Sequence, residues 1–65
     1  MNWVQKQRMN FIRERLNETG QISRLDIVRE FEISVCQASL DITAFRALHP
    51  EAATYDFSKK IWVKA

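Results

Sequence analysis

Two serines fix the middle of this chain. Ser23 and Ser34 each stand ahead of an apolar run, and each is followed three residues later by a polar side chain, Asp26 in one case and Gln37 in the other. A serine hydroxyl so placed accepts from an otherwise unpaired N–H in the first helical turn, and Ser34-Val35-Cys36-Gln37 has the S-x-x-Q form of a capping box. The Asp26 carboxylate also faces the positive end of its helix. Two helices therefore begin here. The first ends by about residue 31, because only Glu32-Ile33-Ser34 separates it from the next cap, and the second runs over about 35–48.

Upstream, Met9, Ile12 and Leu16 recur at i, i+3 and i+7, with Trp3, Val4 and Phe11 extending the stripe and Gly20 behind the last polar turn. That spacing predicts an amphipathic helix over about 3–18, stopped by a glycine in the left-handed conformation. Gln21-Ile22 suits a bridging strand residue or a short extended link. The second helix would bury Leu25 or Ile27 together with Val28 and Phe31, and the third Ala38, Ile42, Phe45 and Leu48. His49-Pro50 ends the third, since the residue before a proline is pushed out of the helical region. Beyond it, Ala53-Thr54-Tyr55-Asp56 and Lys60-Ile61-Trp62-Val63 are β-rich runs around Phe57-Ser58-Lys59, a hairpin over about 53–63.

Sixty-five residues hold one such unit, so 1–65 reads as a single domain. A domain of this size buries only about 60% of its unfolded surface. One cysteine and one histidine supply neither a disulfide nor an all-Cys/His metal cage, so packing must hold the fold. Four Phe, two Trp and one Tyr beside a single Gly and a single Pro exclude disorder, and Trp3, Phe31, Phe45, Tyr55 and Trp62 are the expected core or its lid. No apolar run approaches the ~18 residues of a membrane span, and Met1-Asn2-Trp3-Val4-Gln5-Lys6 lacks the layout of a signal peptide. The expectation is a soluble, cytoplasmic protein with no membrane partner.

Ten Lys and Arg against eight Asp and Glu leave a net charge of +2, which names no partner by itself. Distribution says more. Lys6, Arg8, Arg13 and Arg15 stand against Glu14 alone, and Lys59, Lys60 and Lys64 have no acid among them. Arg8, Arg13 and Arg15 point in several directions around the first helix and read as surface charges. Helix, helix, tight turn, helix, hairpin is the order of a winged helix-turn-helix, a mainly α fold in which a three-helix bundle carries a C-terminal wing. Such a domain binds double-stranded DNA because the third helix, braced by the other two, enters the roughly 12 Å major groove while a basic hairpin tip meets the adjacent backbone.

The run Leu25-Asp26-Ile27-Val28-Arg29-Glu30-Phe31-Glu32-Ile33-Ser34, followed by Gln37-Ala38-Ser39-Leu40-Asp41-Ile42, resembles the DeoR-like winged helix. More closely, the chain resembles the N-terminal domain of WYL-domain transcriptional regulators, including those associated with phage-defence loci. Phe31, Ile33, Ser34, Gln37, Ala38, Ser39 and Asp41, with Pro50, Tyr55, Asp56, Lys60 and Trp62 downstream, carry the likeness over about residues 9–63. It implies a repressor that acts by occupying operator DNA, as a dimer on an inverted repeat. Those regulators also have a ligand-sensing WYL domain, which a chain this short does not hold; it is either an excised DNA-binding domain or a free-standing relative. Two departures stand out. Glu32 occupies the place of the turn glycine, so that position either avoids a positive φ or tolerates strain. The outward residues of the third helix, Val35, Cys36, Ser39, Leu40 and Thr43, include no Arg or Lys before Arg46.

The candidate DNA-binding residues follow. Gln37 can reach adenine N6 and N7 as a bidentate partner or turn its amide back to the Ser34 N–H, and Ser39 and Thr43 can meet a base edge or phosphate. Ser34 caps the third helix, whose N-terminus, with Val35, can face a phosphate. Arg24, where the second helix crosses the backbone, and Lys59 and Lys60 at the wing tip would each neutralise a phosphate. Taken singly each cation is an ordinary solvated charge; on one face the three point to DNA. Cys36 is an isolated thiol, His49 has no second metal ligand near it, and no nucleophile is paired with a base, so the sequence calls for no enzyme activity, metal, cofactor or small-molecule ligand. The rival reading is a protein-interaction module docking through Val35, Cys36 and Leu40.

Overall fold

The computed structural model describes residues 2–65, in the order α1 (Trp3–Thr19), β1 (Gln21–Ile22), α2 (Arg24–Phe31), α3 (Val35–Leu48), β2 (Ala53–Asp56) and β3 (Ile61–Lys64). Local chemistry sets each boundary. Asn2 caps α1, its Oδ1 accepting from the Gln5 N–H at 2.8 Å while the Gln5 Oε1 accepts from the Asn2 N–H at 3.2 Å. Gly20, at φ 78°, closes the helix with its N–H on the Leu16 carbonyl. Ser23 and Asp26 form the full capping box of α2.

The three-residue turn between α2 and α3 begins at Glu32, which ends α2 in the left-handed conformation at φ 52° and ψ 46°. The glutamate therefore carries the strain that a glycine would avoid. His49 caps α3 outside the helical region, as the following proline requires.

The strands form one antiparallel sheet in the order β1-β3-β2. β1 is a true strand: Gln21 pairs with Val63 and Ile22 with Trp62, and the Lys64 N–H reaches the Gly20 carbonyl at 2.9 Å. The wing is thus stitched to the α1–α2 connection. β3 begins at Ile61, one residue later than the β-rich run suggests, because Lys60 takes φ 58° and belongs to the turn.

Met9, Ile12 and Leu16 of α1, Ile22 of β1, Ile27 of α2, Ala38, Ile42 and Phe45 of α3, and Ala53 of β2 form the core. Phe11, Val28, Phe31 and Trp62 pack against it from partly buried positions, with the Phe11 and Phe31 rings edge-on at 5.4 Å. Four expected core residues lie elsewhere. Trp3 and Val4 are exposed because, at about 100° per residue, both fall off the Met9–Ile12–Leu16 arc. Leu25 is exposed and Ile27 fully buried, since the two point to nearly opposite sides of α2. Leu48 stands one turn beyond Phe45, where the buried cluster on α3 stops.

Arg8 is likewise not a surface charge. It sits one turn before Ile12, on the flank of the buried stripe, and its Nε lies 2.6 Å from Asp41 Oδ2 of α3. Both side chains are nearly inaccessible, at 10% and 4% relative exposure. Neither atom has a hydrogen-bond partner, so contact charge attraction rather than an aligned N–H holds them. Removing either partner would strand a buried charge at a cost of about 3–5 kcal/mol.

Glu32→Gly is expected to raise stability by about 1 kcal/mol by relieving the left-handed strain, which for a domain of this size is roughly 4–8 °C in Tm. Thermal unfolding followed by circular dichroism measures it; a lowered Tm would show that the Glu32 side chain stabilises the turn.

Candidate nucleic-acid interface

α3 is capped by Ser34, whose hydroxyl accepts from the Gln37 N–H at 3.0 Å. The reciprocal half of the expected capping box is absent. The Gln37 side chain turns along the helix instead, and its Nε2 donates to Asp41 Oδ1 at 3.1 Å. A carboxylate one turn on, already held in place by Arg8, is a stronger acceptor partner for the amide than the Ser34 N–H is a donor. Outward from this turn, Val35 and Leu40 are 43% and 63% exposed, and Cys36 is an exposed free thiol. Thr43 is exposed and donates its hydroxyl proton to the Ser39 carbonyl.

The β1–β3 pairing decides what lies beside this helix. Because Ile22 leads directly into the Ser23 cap, fixing it to Trp62 brings the start of α2 against the wing. Ser23 and Arg24 of α2, Ser39, Ile42 and Thr43 of α3, and Tyr55, Lys60 and Trp62 of the wing surround one open cleft of about 270 Å³. Four of the sequence-derived candidates, Arg24, Ser39, Thr43 and Lys60, thus share one site. Its lining carries two cations and no acid. Ser34, Val35 and Gln37 stand at the N-terminal end of α3 outside that lining, and Lys59 is exposed in the wing turn.

The wing turn is organised by Asp56, whose Oδ1 accepts from the Ser58 N–H at 2.9 Å and the Lys59 N–H at 3.1 Å while its carbonyl accepts from the Lys60 N–H at 2.7 Å. In the sequence Asp56 reads as a strand end and as one of the residues carrying the family likeness; an aspartate two residues before a Ser-Lys pair is also the signal of such an Asx turn. Below the tip, the Tyr55 and Trp62 rings meet edge-on at 4.8 Å, and the Arg46 guanidinium lies 4.2 Å over the Trp62 ring. Arg46, the first cation on α3, is therefore spent on the wing–helix junction. Among the described residues no group of three His, Cys, Asp or Glu side chains could hold a metal ion, and no helix is long and apolar enough to cross a membrane.

Three helices, a tight α2–α3 turn and a sheet-anchored hairpin define a winged helix-turn-helix domain. Residues 4–65 match the family described as the BrxR transcriptional regulator winged helix-turn-helix domain, and the chain belongs to that family. It is similar to proteins named DNA-binding transcriptional repressor CapW. The identity is 42% over 60 residues with the protein of Escherichia coli strain KTE188 and with that of Pseudomonas aeruginosa, covering 92% of this chain and 20% of each relative. With that of Stenotrophomonas maltophilia it is 36% over 63 residues, covering 97% of this chain and 21% of the relative. The chain spans about a fifth of the length of these curated relatives.

Asp56→Ala removes the acceptor of two wing-turn N–H groups and is expected to cost about 1 kcal/mol. Amide exchange at Ser58 and Lys59 should accelerate while that of α1 stays as it was; unchanged exchange at both would show that the turn holds without the carboxylate.

Proposed function

We propose that this chain binds double-stranded DNA as the DNA-binding domain of a transcriptional repressor, by occupying operator DNA rather than by chemistry. The observation that carries the reading is the acid-free cleft that Arg24 and Lys60 line together with Ser39 and Thr43. In this reading α3 enters the major groove with its N-terminal residues foremost. Arg24, Lys59 and Lys60 neutralise phosphates and set register, and Gln37, Ser39 and Thr43 face base edges. Exposed Val35 and Leu40 suit thymine methyl groups. The names of the relatives and the family support repression. A single small module buries only about 600–1,000 Å² on DNA, so the functional unit is a homodimer on an inverted repeat, acting in the cytoplasm.

The exposure of Leu40 and Val35 equally suits a second reading, a docking face for another protein. Fluorescence anisotropy with a mixed-sequence duplex separates the two. DNA binding predicts affinity that falls with salt, and Lys59→Glu with Lys60→Glu should weaken it at least tenfold at low salt and flatten the slope of log K against log salt by roughly two. Affinity and slope unaltered by that double change would remove the wing from the interface. No binding to the duplex by the unmodified chain would favour the docking reading.

A further inference from the structure

The buried Arg8–Asp41 pair has an outlet to the surface. The two oxygens of Asp41 are divided: Oδ2 faces Arg8 of α1, and Oδ1 accepts from Gln37 Nε2. Arg8 and Asp41 are both buried, whereas Gln37 is half-buried in the first turn of α3. We infer that Arg8 and Asp41 are positioning residues for base readout, holding the Gln37 amide in one orientation at the groove. This rests on the DNA-binding reading above.

The chemistry is directional. A carboxylate only accepts, so Asp41 takes the NH2 of Gln37 and turns its carbonyl oxygen away; an amide at position 41 would permit either flip. One N–H of the NH2 group is used on Asp41. The other N–H and the carbonyl oxygen remain, and together they are the donor and acceptor that adenine N7 and N6 require. A free glutamine on a helix surface spreads over many rotamers, and ordering it on a base costs entropy. Anchoring its nitrogen removes part of that cost in advance. Arg8 supplies the countercharge without which the carboxylate would not be held, dry, at that position. A purely structural tie between α1 and α3 would need neither the second oxygen nor Gln37.

The test separates positioning from folding. Replacing both charges by apolar groups of similar bulk, Arg8→Met with Asp41→Leu, leaves no stranded charge, and such exchanges are often neutral for stability. The wild-type chain, this pair variant and Gln37→Ala are each used to select from a random duplex pool, with urea unfolding of each alongside. The expected result is a pair variant with a wild-type urea midpoint that loses roughly ten- to a hundredfold of base preference. The loss falls at the same base pair as in Gln37→Ala, and adding Gln37→Ala to the pair variant costs nothing more. A pair variant that keeps the full preference overturns the inference. The Gln37 side-chain amide in the nitrogen–proton NMR spectrum of the wild-type chain gives a second readout that needs no variant to fold. One amide proton moved away from its free-glutamine position and slow to exchange supports the anchor, and two protons at free-glutamine positions that both exchange fast overturn it. If the wild-type chain retains no duplex from the pool, the DNA-binding reading itself fails, an outcome distinct from the other two.

Discussion

The pairing of Ile22 with Trp62 and of Gln21 with Val63 is the constraint from which the outward face follows, because β1 runs directly into the cap of α2. An isolated hairpin of this size is marginal in water. Here β3 is the central strand, bonded on one side to β2 and on the other to the link between the first two helices. The wing is therefore tied to the bundle, and Lys60 lines the same cleft as Arg24. The Arg46 guanidinium on Trp62 adds a contact from α3 to the same strand. Without the two-residue strand, only side-chain packing and the Arg46 contact would hold the wing cations at their separation from those of the helices.

A core this small leaves little margin, and the chain accepts two local costs. Glu32 and Lys60 both adopt left-handed backbone without being glycine, one in the turn between α2 and α3 and the other beside β3. Both lie on the segments that set the cleft. The buried Arg8–Asp41 pair adds little net stability, since desolvation offsets the attraction. Its contribution is to fix how α1 and α3 meet and, through Gln37, what α3 presents.

The features legible in the sequence are those set within a turn or two of chain. Ser23 with Asp26, Ser34, Gly20 and His49-Pro50 bound the helices through bonds to near neighbours, so the three helices and the hairpin lie where the spacing predicts. The same locality explains the misreadings. Trp3, Val4 and Leu25 are apolar without facing the core, because a stripe is a matter of angle: the first two fall off the Met9–Ile12–Leu16 arc of α1, and the eight residues of α2 leave its angle loosely set. Arg8 reads as a surface charge until its partner, far along the chain, is known. Gln37 satisfies the capping-box pattern, yet its amide goes to Asp41 because an anchored carboxylate competes for it. Of the candidate interface, Arg24, Ser39, Thr43 and Lys60 converge on one cleft, while the anchoring of the wing through β1 was open in the sequence, where Gln21-Ile22 suits a link as well as a strand.

The central claim is that one face of this domain, built from α2, α3 and the wing turn, meets DNA. An amide NMR titration of the labelled chain with a mixed-sequence duplex at low salt, repeated at about 200 mM salt, tests it most directly, because single modules bind weakly and salt displaces them. The account predicts shifts confined to Arg24, residues 34–43 and Lys59-Lys60 that fade as salt is raised. No shift on that face at either salt, or shifts confined to the opposite side of α1, would contradict it.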